Sequence, residues 1–198
     1  MARSNLYRWG GLATIVGGIV LAVGEFLHPK NEAANVTTSL WVISHELILV
    51  SLVLGIAGLF AVYTRQNREV GSLGFIGFLL AYVTMLSFTG IVYFEAFFNP
   101  VLAAQVPEFV QKMMSQEPSG TLGAIFLASG LLFSLGWLLF GFATLRARIF
   151  PRWGAILALV GGAFLGLEPL LPQSIQKVPA VVFGLALVWL GYFLWSER

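Results

Sequence analysis

The segment Leu40–Thr64, with the sequence LWVISHELILVSLVLGIAGLFAVYT, decides the fold class of this chain. Its single charged residue, Glu46, lies within a long run of apolar side chains. A helix that crosses a membrane needs about 20 consecutive residues, most of them apolar. This segment meets that requirement, and it is therefore predicted to be a transmembrane helix.

The composition extends this interpretation to the whole chain. Of its 198 residues, 58% are hydrophobic and only 10% are charged, whereas a soluble domain carries about 25% charged residues. The net charge of +2 is too sparse for a nucleic-acid interface, so nucleic acid is excluded as a partner. The chain has no cysteine, which excludes disulfides and thiolate metal sites.

Five further apolar segments resemble the first one in length and composition. We therefore predict an all-α, polytopic membrane protein in which a single domain, residues 1–198, is a bundle of six transmembrane helices within the lipid bilayer. The predicted spans are residues 9–27, 40–64, 73–98, 121–145, 153–171 and 179–195.

An amphipathic pattern lies between the third and fourth spans. Val106, Phe109, Val110, Met113 and Met114 recur at the spacing of one helical face. This pattern predicts a short helix that lies on the membrane surface or folds across the end of the bundle.

The cations predict the orientation, because loops rich in arginine and lysine are retained on the cytoplasmic side. A cytoplasmic N-terminus places every arginine on the inner face and every lysine on the outer face. We therefore predict a multi-pass protein of the cytoplasmic (inner) membrane with both termini in the cytoplasm. The arginines are Arg3, Arg8, Arg65, Arg68, Arg146, Arg148, Arg152 and Arg198, and the lysines are Lys30, Lys112 and Lys177.

The first and fifth spans share a pattern. Arg8-Trp9-Gly10 followed by Gly17-Gly18 in the first corresponds to Arg152-Trp153-Gly154 followed by Gly161-Gly162 in the fifth. Such similarity predicts an internal repeat, with both copies running in the same direction through the membrane.

Acidic and imidazole side chains are predicted to meet near the outer face. Glu25 lies seventeen residues after Arg8, roughly 25 Å along a helix. The same argument gives a similar depth for Glu95 and Glu168, and His28 lies one turn beyond Glu25 on the same helical face. His45 and Glu46 reach this layer from the opposite direction, four and five residues inside Trp41, which marks the outer interface. A carboxylate within hydrocarbon costs a few kcal/mol, so it should face the bundle interior and have a partner. We therefore predict a ligand-binding or proton-binding layer in which Glu25, Glu46, Glu95 and Glu168 take part.

A divalent metal ion is one candidate occupant of this layer. Glu25-x-x-His28 has the spacing that places two metal ligands on one helical face, as in di-iron bundles. The predicted metal ligands are Glu25, His28, His45 and Glu46. The zinc-protease motif fails, because Leu49 stands where its second histidine is required. A haem held by the two histidines is an alternative.

These observations leave three classes of function open. The first is a protein that binds a small cation or a lipophilic ligand in the Glu/His pocket, as a proton-coupled carrier or a receptor. The second is a metal-dependent, membrane-embedded hydrolase or oxidoreductase with a lipophilic substrate. The third is a non-catalytic structural subunit of a membrane complex. A carrier of this size would need a homo-oligomer if one chain did not enclose the pathway.

Overall fold

The structure of this protein is a computed structural model that describes residues 2–114, 120–172 and 175–197. Over these residues it is all-helical and has no strand. The helices are α1 (Ala2–Leu27), α2 (Ala33–Val36), α3 (Ser39–Gln66), α4 (Gly71–Phe97), α5 (Asn99–Gln105), α6 (Pro107–Met114), α7 (Thr121–Ala147), α8 (Arg152–Gly166) and α9 (Lys177–Ser196). A 3-10 turn, Glu168–Leu170, follows α8.

The six long helices form a closed antiparallel ring. Each packs against its neighbours in the order α1, α3, α4, α7, α8 and α9, and α9 returns to α1. Five of the six are long and apolar enough to cross a membrane. The sixth, α8, is apolar but has only 15 residues. It ends at Gly166, short of the predicted boundary at residue 171, because Pro169 and Pro172 disfavour further helical turns.

Apolar side chains cover the outside of the ring. Only 33% to 50% of the most apolar window of each candidate span is buried within the protein. The remaining apolar surface faces outward, which is the pattern of a multi-pass protein surrounded by lipid.

Paired glycines let one helix approach two neighbours at once. Gly17 packs against α3 and Gly18 against α9, whereas Gly161 packs against α9 and Gly162 against Trp137 of α7. Adjacent helical residues point about 100° apart, so each glycine of a pair serves a different neighbour. This shared packing requirement accounts for the similarity between α1 and α8, and the predicted internal repeat is not supported.

Aromatic side chains fill the ring. Trp137 and Phe183 are each 2% exposed, and their rings meet edge to face with centroids 4.5 Å apart. Phe133 and Phe140 extend this cluster toward α4. These side chains form a packed aromatic core at the centre of the ring.

One end of the ring, the arginine end, carries Arg8, Arg65, Arg68, Arg146, Arg148 and Arg152, which belong to or follow the helix ends there. Arg65 donates two hydrogen bonds to Glu197, from Nε to Oε2 at 2.6 Å and from an Nη atom to Oε1 at 2.9 Å. This fork joins the end of α3 to the end of α9. Arg198 lies outside the described residues.

The opposite end, the His–Glu end, is covered by a cap made of α2, α5 and α6. Val36 of α2 and Val110 of α6 are fully buried against Trp41 of α3. Val106 and Phe109, predicted to share the apolar face with Val110, are instead about half exposed. The cap thus lies directly over Trp41, with apolar side chains left on its outer surface.

Candidate functional site

His45 is a buried polar group at the His–Glu end. It is 2% exposed, and its Nδ1 lies 2.8 Å from the carbonyl oxygen of Trp41, one helical turn earlier. A carbonyl oxygen can only accept, so Nδ1 carries a hydrogen and donates it. Nε2 is therefore the nitrogen of His45 that remains for other partners.

That single nitrogen reaches two other helices. His45 Nε2 lies 3.3 Å from Nε2 of His28, which follows α1, and 3.6 Å from Oε2 of Glu95 on α4. The site joins α1, α3 and α4, three consecutive members of the ring. His28, His45 and Glu95 are called the imidazole chain below.

Trp41 holds this arrangement in place. Its side chain is fully buried, and its indole Nε1–H donates to the backbone carbonyl of Glu95 at 2.8 Å. Its ring stacks on His45 with centroids 4.2 Å apart. Trp41 therefore fixes the position of the His45 ring and links α3 to α4.

A cleft opens beside the imidazole chain, between α1, the turn after α8 and the start of α9. It has a volume of about 410 Å³ and is lined by Glu25, His28, Pro29, Lys30, Asn31, Glu168, Gln176 and Lys177. The ammonium of Lys177 donates to the carbonyl oxygens of Phe26 and His28 at 2.9 and 2.8 Å. It thereby caps the last turn of α1, where helical carbonyls lack partners within the helix.

The cleft and the imidazole chain influence one another electrostatically. Burial, with a further contribution from the charge of Glu95, raises the pKa of Glu168 from 4.5 to about 7. Burial, with a further contribution from His45, lowers the pKa of His28 from 6.5 to about 4. Glu25 lies within electrostatic range of Glu168, Lys177 and Glu95.

The structure brings together five of the six predicted site residues and separates the sixth. Glu25, His28, His45, Glu95 and Glu168 share the His–Glu end. Glu46 is exposed on another face of α3, because it follows His45 directly and neighbouring helical side chains diverge.

The predicted metal site is not assembled. Within residues 2–114, 120–172 and 175–197, no group of three or more acidic or histidine side chains is placed to hold a metal ion. The set of Glu25, His28, His45 and Glu46 fails because Glu46 points away from the others. A haem does not fit either, because the Nε2 atoms of the two histidines face each other directly, with no gap for a porphyrin between them.

Two contributors were not predicted from the sequence. Trp41 was interpreted only as an interfacial marker and Lys177 only as an outer-loop cation, yet one orients His45 and the other lines the cleft. The spacing Trp41-x-x-x-His45 places both rings on one face of α3 and is the signal that could have indicated the first.

Comparison with known proteins offers no relative from which a role could be transferred. No family model, no curated protein and no solved structure matches this chain. The function must therefore be argued from the site itself.

Proposed function

We propose that the chain crosses the membrane six times, with α8 as the additional span. Its neighbours in the ring, α7 and α9, are both candidate spans, and both run from the His–Glu end to the arginine end. The chain must return across the bilayer between them, and α8 is the helix that makes this connection. Its 15 residues reach roughly 22 Å, and a locally thinned bilayer can accommodate such a length.

We further propose that the arginine end faces the cytoplasm of a bacterial-type inner membrane and that α6 lies at the opposite surface. The distribution of arginine supports the orientation, and the exposed Val106 and Phe109 support membrane contact by the cap. Because the chain has no cysteine, Arg148→Cys and Lys30→Cys can be labelled one at a time with a membrane-impermeant maleimide. Only Lys30→Cys should react in intact cells, and labelling of Arg148→Cys alone would indicate the opposite orientation.

The function that this geometry supports best is binding of a small cation at the His–Glu end, as a carrier or a receptor. The observation that carries the proposal is the cleft of about 410 Å³ with Glu25 and Glu168 in its wall. Two carboxylates at one partly buried site attract a positive charge more strongly than either alone.

Lys177 offsets only part of this attraction, because its single positive charge faces two carboxylates in the cleft. Two of its three ammonium hydrogens are directed at the backbone carbonyls of Phe26 and His28. Near neutral pH the cleft can therefore exchange the proton of Glu168 for a bound cation. Such an exchange couples cation binding to proton release, which is the elementary step of a proton-coupled carrier.

The volume of the cleft favours an organic ammonium ion over a bare metal ion. A site of this size accommodates a small organic molecule. The described residues provide no metal-ligand group, and no specific observation favours the hydrolase, the oxidoreductase or the structural subunit.

Binding can be tested with the purified protein in lipid nanodiscs. The probes are methylammonium, tetramethylammonium and sodium chloride at equal ionic strength, and the readout is the thermal unfolding temperature. An organic ammonium ion should raise this temperature more than sodium does, and Glu25→Gln or Glu168→Gln should weaken the apparent affinity at least about tenfold.

Glu46→Gln is the matched control, because it removes the same charge at the same end but outside the cleft. It should bind like the unmodified protein. Equal responses to all three salts, or equal losses in all three variants, would exclude a cation site in the cleft.

A further inference from the structure

The two histidines of this chain, the only ones in its sequence, face each other through the same ring atom. The Nε2 atoms of His28 and His45 are 3.3 Å apart, and the ring centroids are 4.7 Å apart. Two nitrogens at this distance form a hydrogen bond only if one of them carries a hydrogen. The protonation of the other nitrogen in each ring decides where that hydrogen comes from.

The other nitrogen of His45 is directed at the protein backbone. Its Nδ1 donates to the carbonyl oxygen of Trp41 at 2.8 Å. A neutral His45 therefore has a lone pair on Nε2, and this lone pair faces Nε2 of His28 at 3.3 Å and the carboxylate of Glu95 at 3.6 Å. A hydrogen on His45 Nε2 would give both of these neighbours a donor.

We propose that His28 and His45 form a proton-binding site in which one excess proton bridges their Nε2 atoms, with Glu95 as its counter-ion. An excess proton on His45 Nε2 forms a charge-assisted hydrogen bond to the lone pair of His28 Nε2. The carboxylate of Glu95, 3.6 Å from His45 Nε2, compensates the positive charge. A second proton binds only when the pH falls to about 4, which is the lowered pKa of His28.

The same geometry defines a route for the proton. His45 receives and releases it through Nε2 alone, because its Nδ1 is committed to Trp41. In one direction the N–H bond of the His28 cation breaks as an N–H bond forms on His45. In the next step that bond breaks as an O–H bond forms on Glu95, which leaves both imidazoles neutral. The first transfer spans 3.3 Å, and the second requires the carboxylate of Glu95 to move from 3.6 Å to hydrogen-bond distance of His45 Nε2.

The site is also joined to the cleft, because His28 contributes to both. The other titratable groups around the pair are Glu25 from α1, Glu168 from the turn after α8 and Lys177 from α9. Lys177 disfavours positive charge on His28. If the proposed function holds, a cation in the cleft drives the bridging proton toward Glu95.

Nitrogen NMR of the uniformly ¹⁵N-histidine-labelled protein in nanodiscs tests the proton site without any cleft ligand. With two histidines in the chain, the spectrum contains only this pair. From pH 7 to 5 we expect both Nδ1 atoms to remain protonated and the two Nε2 atoms to share one hydrogen, with a second uptake only near pH 4. Two rings that titrate independently, each to a full cation above pH 5, would overturn the proposal.

Glu95→Gln and Glu46→Gln form the matched pair of variants. Loss of the counter-ion should reduce the fraction of the pair that holds the bridging proton at pH 7 by about tenfold or more. Glu46→Gln should leave it unchanged, and equal effects of the two variants would count against the role of Glu95. If Glu95→Gln does not fold, the titration of the unmodified protein still decides the main point.

Two further results keep this proposal separate from the proposed function. Glu25→Gln should abolish cation binding in the cleft and leave the bridging proton in place. Failure of cation binding alone would therefore remove the proposed function but not the proton site. Addition of one equivalent of zinc chloride at pH 7 should not alter the Nε2 signals, and a stoichiometric change would show that the lone pairs bind a metal ion instead.

Discussion

Removal of Glu168 or of His28 from the cleft should change the slope of stability against pH, and the two removals should change it in opposite directions. Glu168 follows α8 and His28 follows α1, so both lie beyond the ends of the ring helices. The perturbations are Glu168→Gln and His28→Gln. Each replaces a titratable side chain by a neutral one that can still form hydrogen bonds.

The direction follows from the shifted pKa values. Because the pKa of Glu168 is raised from 4.5 to about 7, its contribution to stability is complete below pH 4.5 and is lost as the pH rises through 7. Because the pKa of His28 is lowered from 6.5 to about 4, its contribution is complete above pH 6.5 and is lost as the pH falls toward 4. Between pH 4.5 and 6.5 the two effects oppose each other, so the unmodified protein should show little pH dependence in this interval from this pair of groups.

Each variant is compared with the unmodified protein, because the other titratable groups of the cleft remain in both. Relative to the unmodified protein, the free energy of unfolding of Glu168→Gln should rise as the pH increases from 4.5 to 7, and that of His28→Gln should fall as the pH increases from 4 to 6.5. Each change is at most about 3 kcal/mol, since one pKa unit corresponds to about 1.4 kcal/mol, and solvent reaching the cleft reduces it. The assay is chemical unfolding in detergent at half-unit steps of pH.

Glu46→Gln serves as the control and should keep the pH profile of the unmodified protein. Parallel profiles for all three variants would refute the reasoning, because they would show that neither group is buried in the folded state. A change of slope in the same direction for Glu168→Gln and His28→Gln would refute it as well.

Two further predictions concern packing away from the site. Gly184→Ala should destabilise the protein by about 1–3 kcal/mol, because the added Cβ would lie 2.6 Å from a backbone oxygen of α1. Gly90→Ala should be neutral, because nothing lies within 4 Å of its added Cβ. Thermal unfolding in detergent compares the two variants, and equal effects would contradict the close α1–α9 contact. Arg65→Ala should lower the free energy of unfolding by about 1 kcal/mol, because the two hydrogen bonds to Glu197 are lost. Arg68→Ala, at an exposed position, should have no measurable effect in the same assay. If Arg65→Ala is as stable as the unmodified protein, the interaction with Glu197 does not contribute to stability.

Much of the fold could be predicted from hydrophobic runs alone. Runs of about 20 apolar residues leave little choice of structure, because backbone groups in lipid must be satisfied within the segment. The fifth predicted span was less well bounded, since its last residues are apolar but contain Pro169 and Pro172, which end α8 at Gly166. The residues after Gly166 are apolar enough to extend the span, but the two prolines disfavour a helix, and the helix ends.

The position of the candidate-site residues along their helices could be predicted from the sequence, but the helical faces that meet one another could not. Counting residues from Arg8 placed Glu25 at the correct end, because the rise along a helix is constant. The separation of His45 from Glu46 depends on which face of α3 meets its neighbours, and this is set by contacts with other helices. The partners of Trp41 and Lys177 are likewise far away in sequence, so no local pattern could reveal them.

The account depends on a direct interaction between His45 and Glu95 inside the ring, and a double-mutant cycle of unfolding free energies measures it. The variants are His45→Gln, Glu95→Gln and their combination, with Glu46→Gln in place of Glu95→Gln as the parallel cycle. The account predicts a coupling energy of about 1 kcal/mol or more for His45 with Glu95 and close to zero for His45 with Glu46. Additive effects in both cycles would contradict it, since His45 and Glu95 would then not interact.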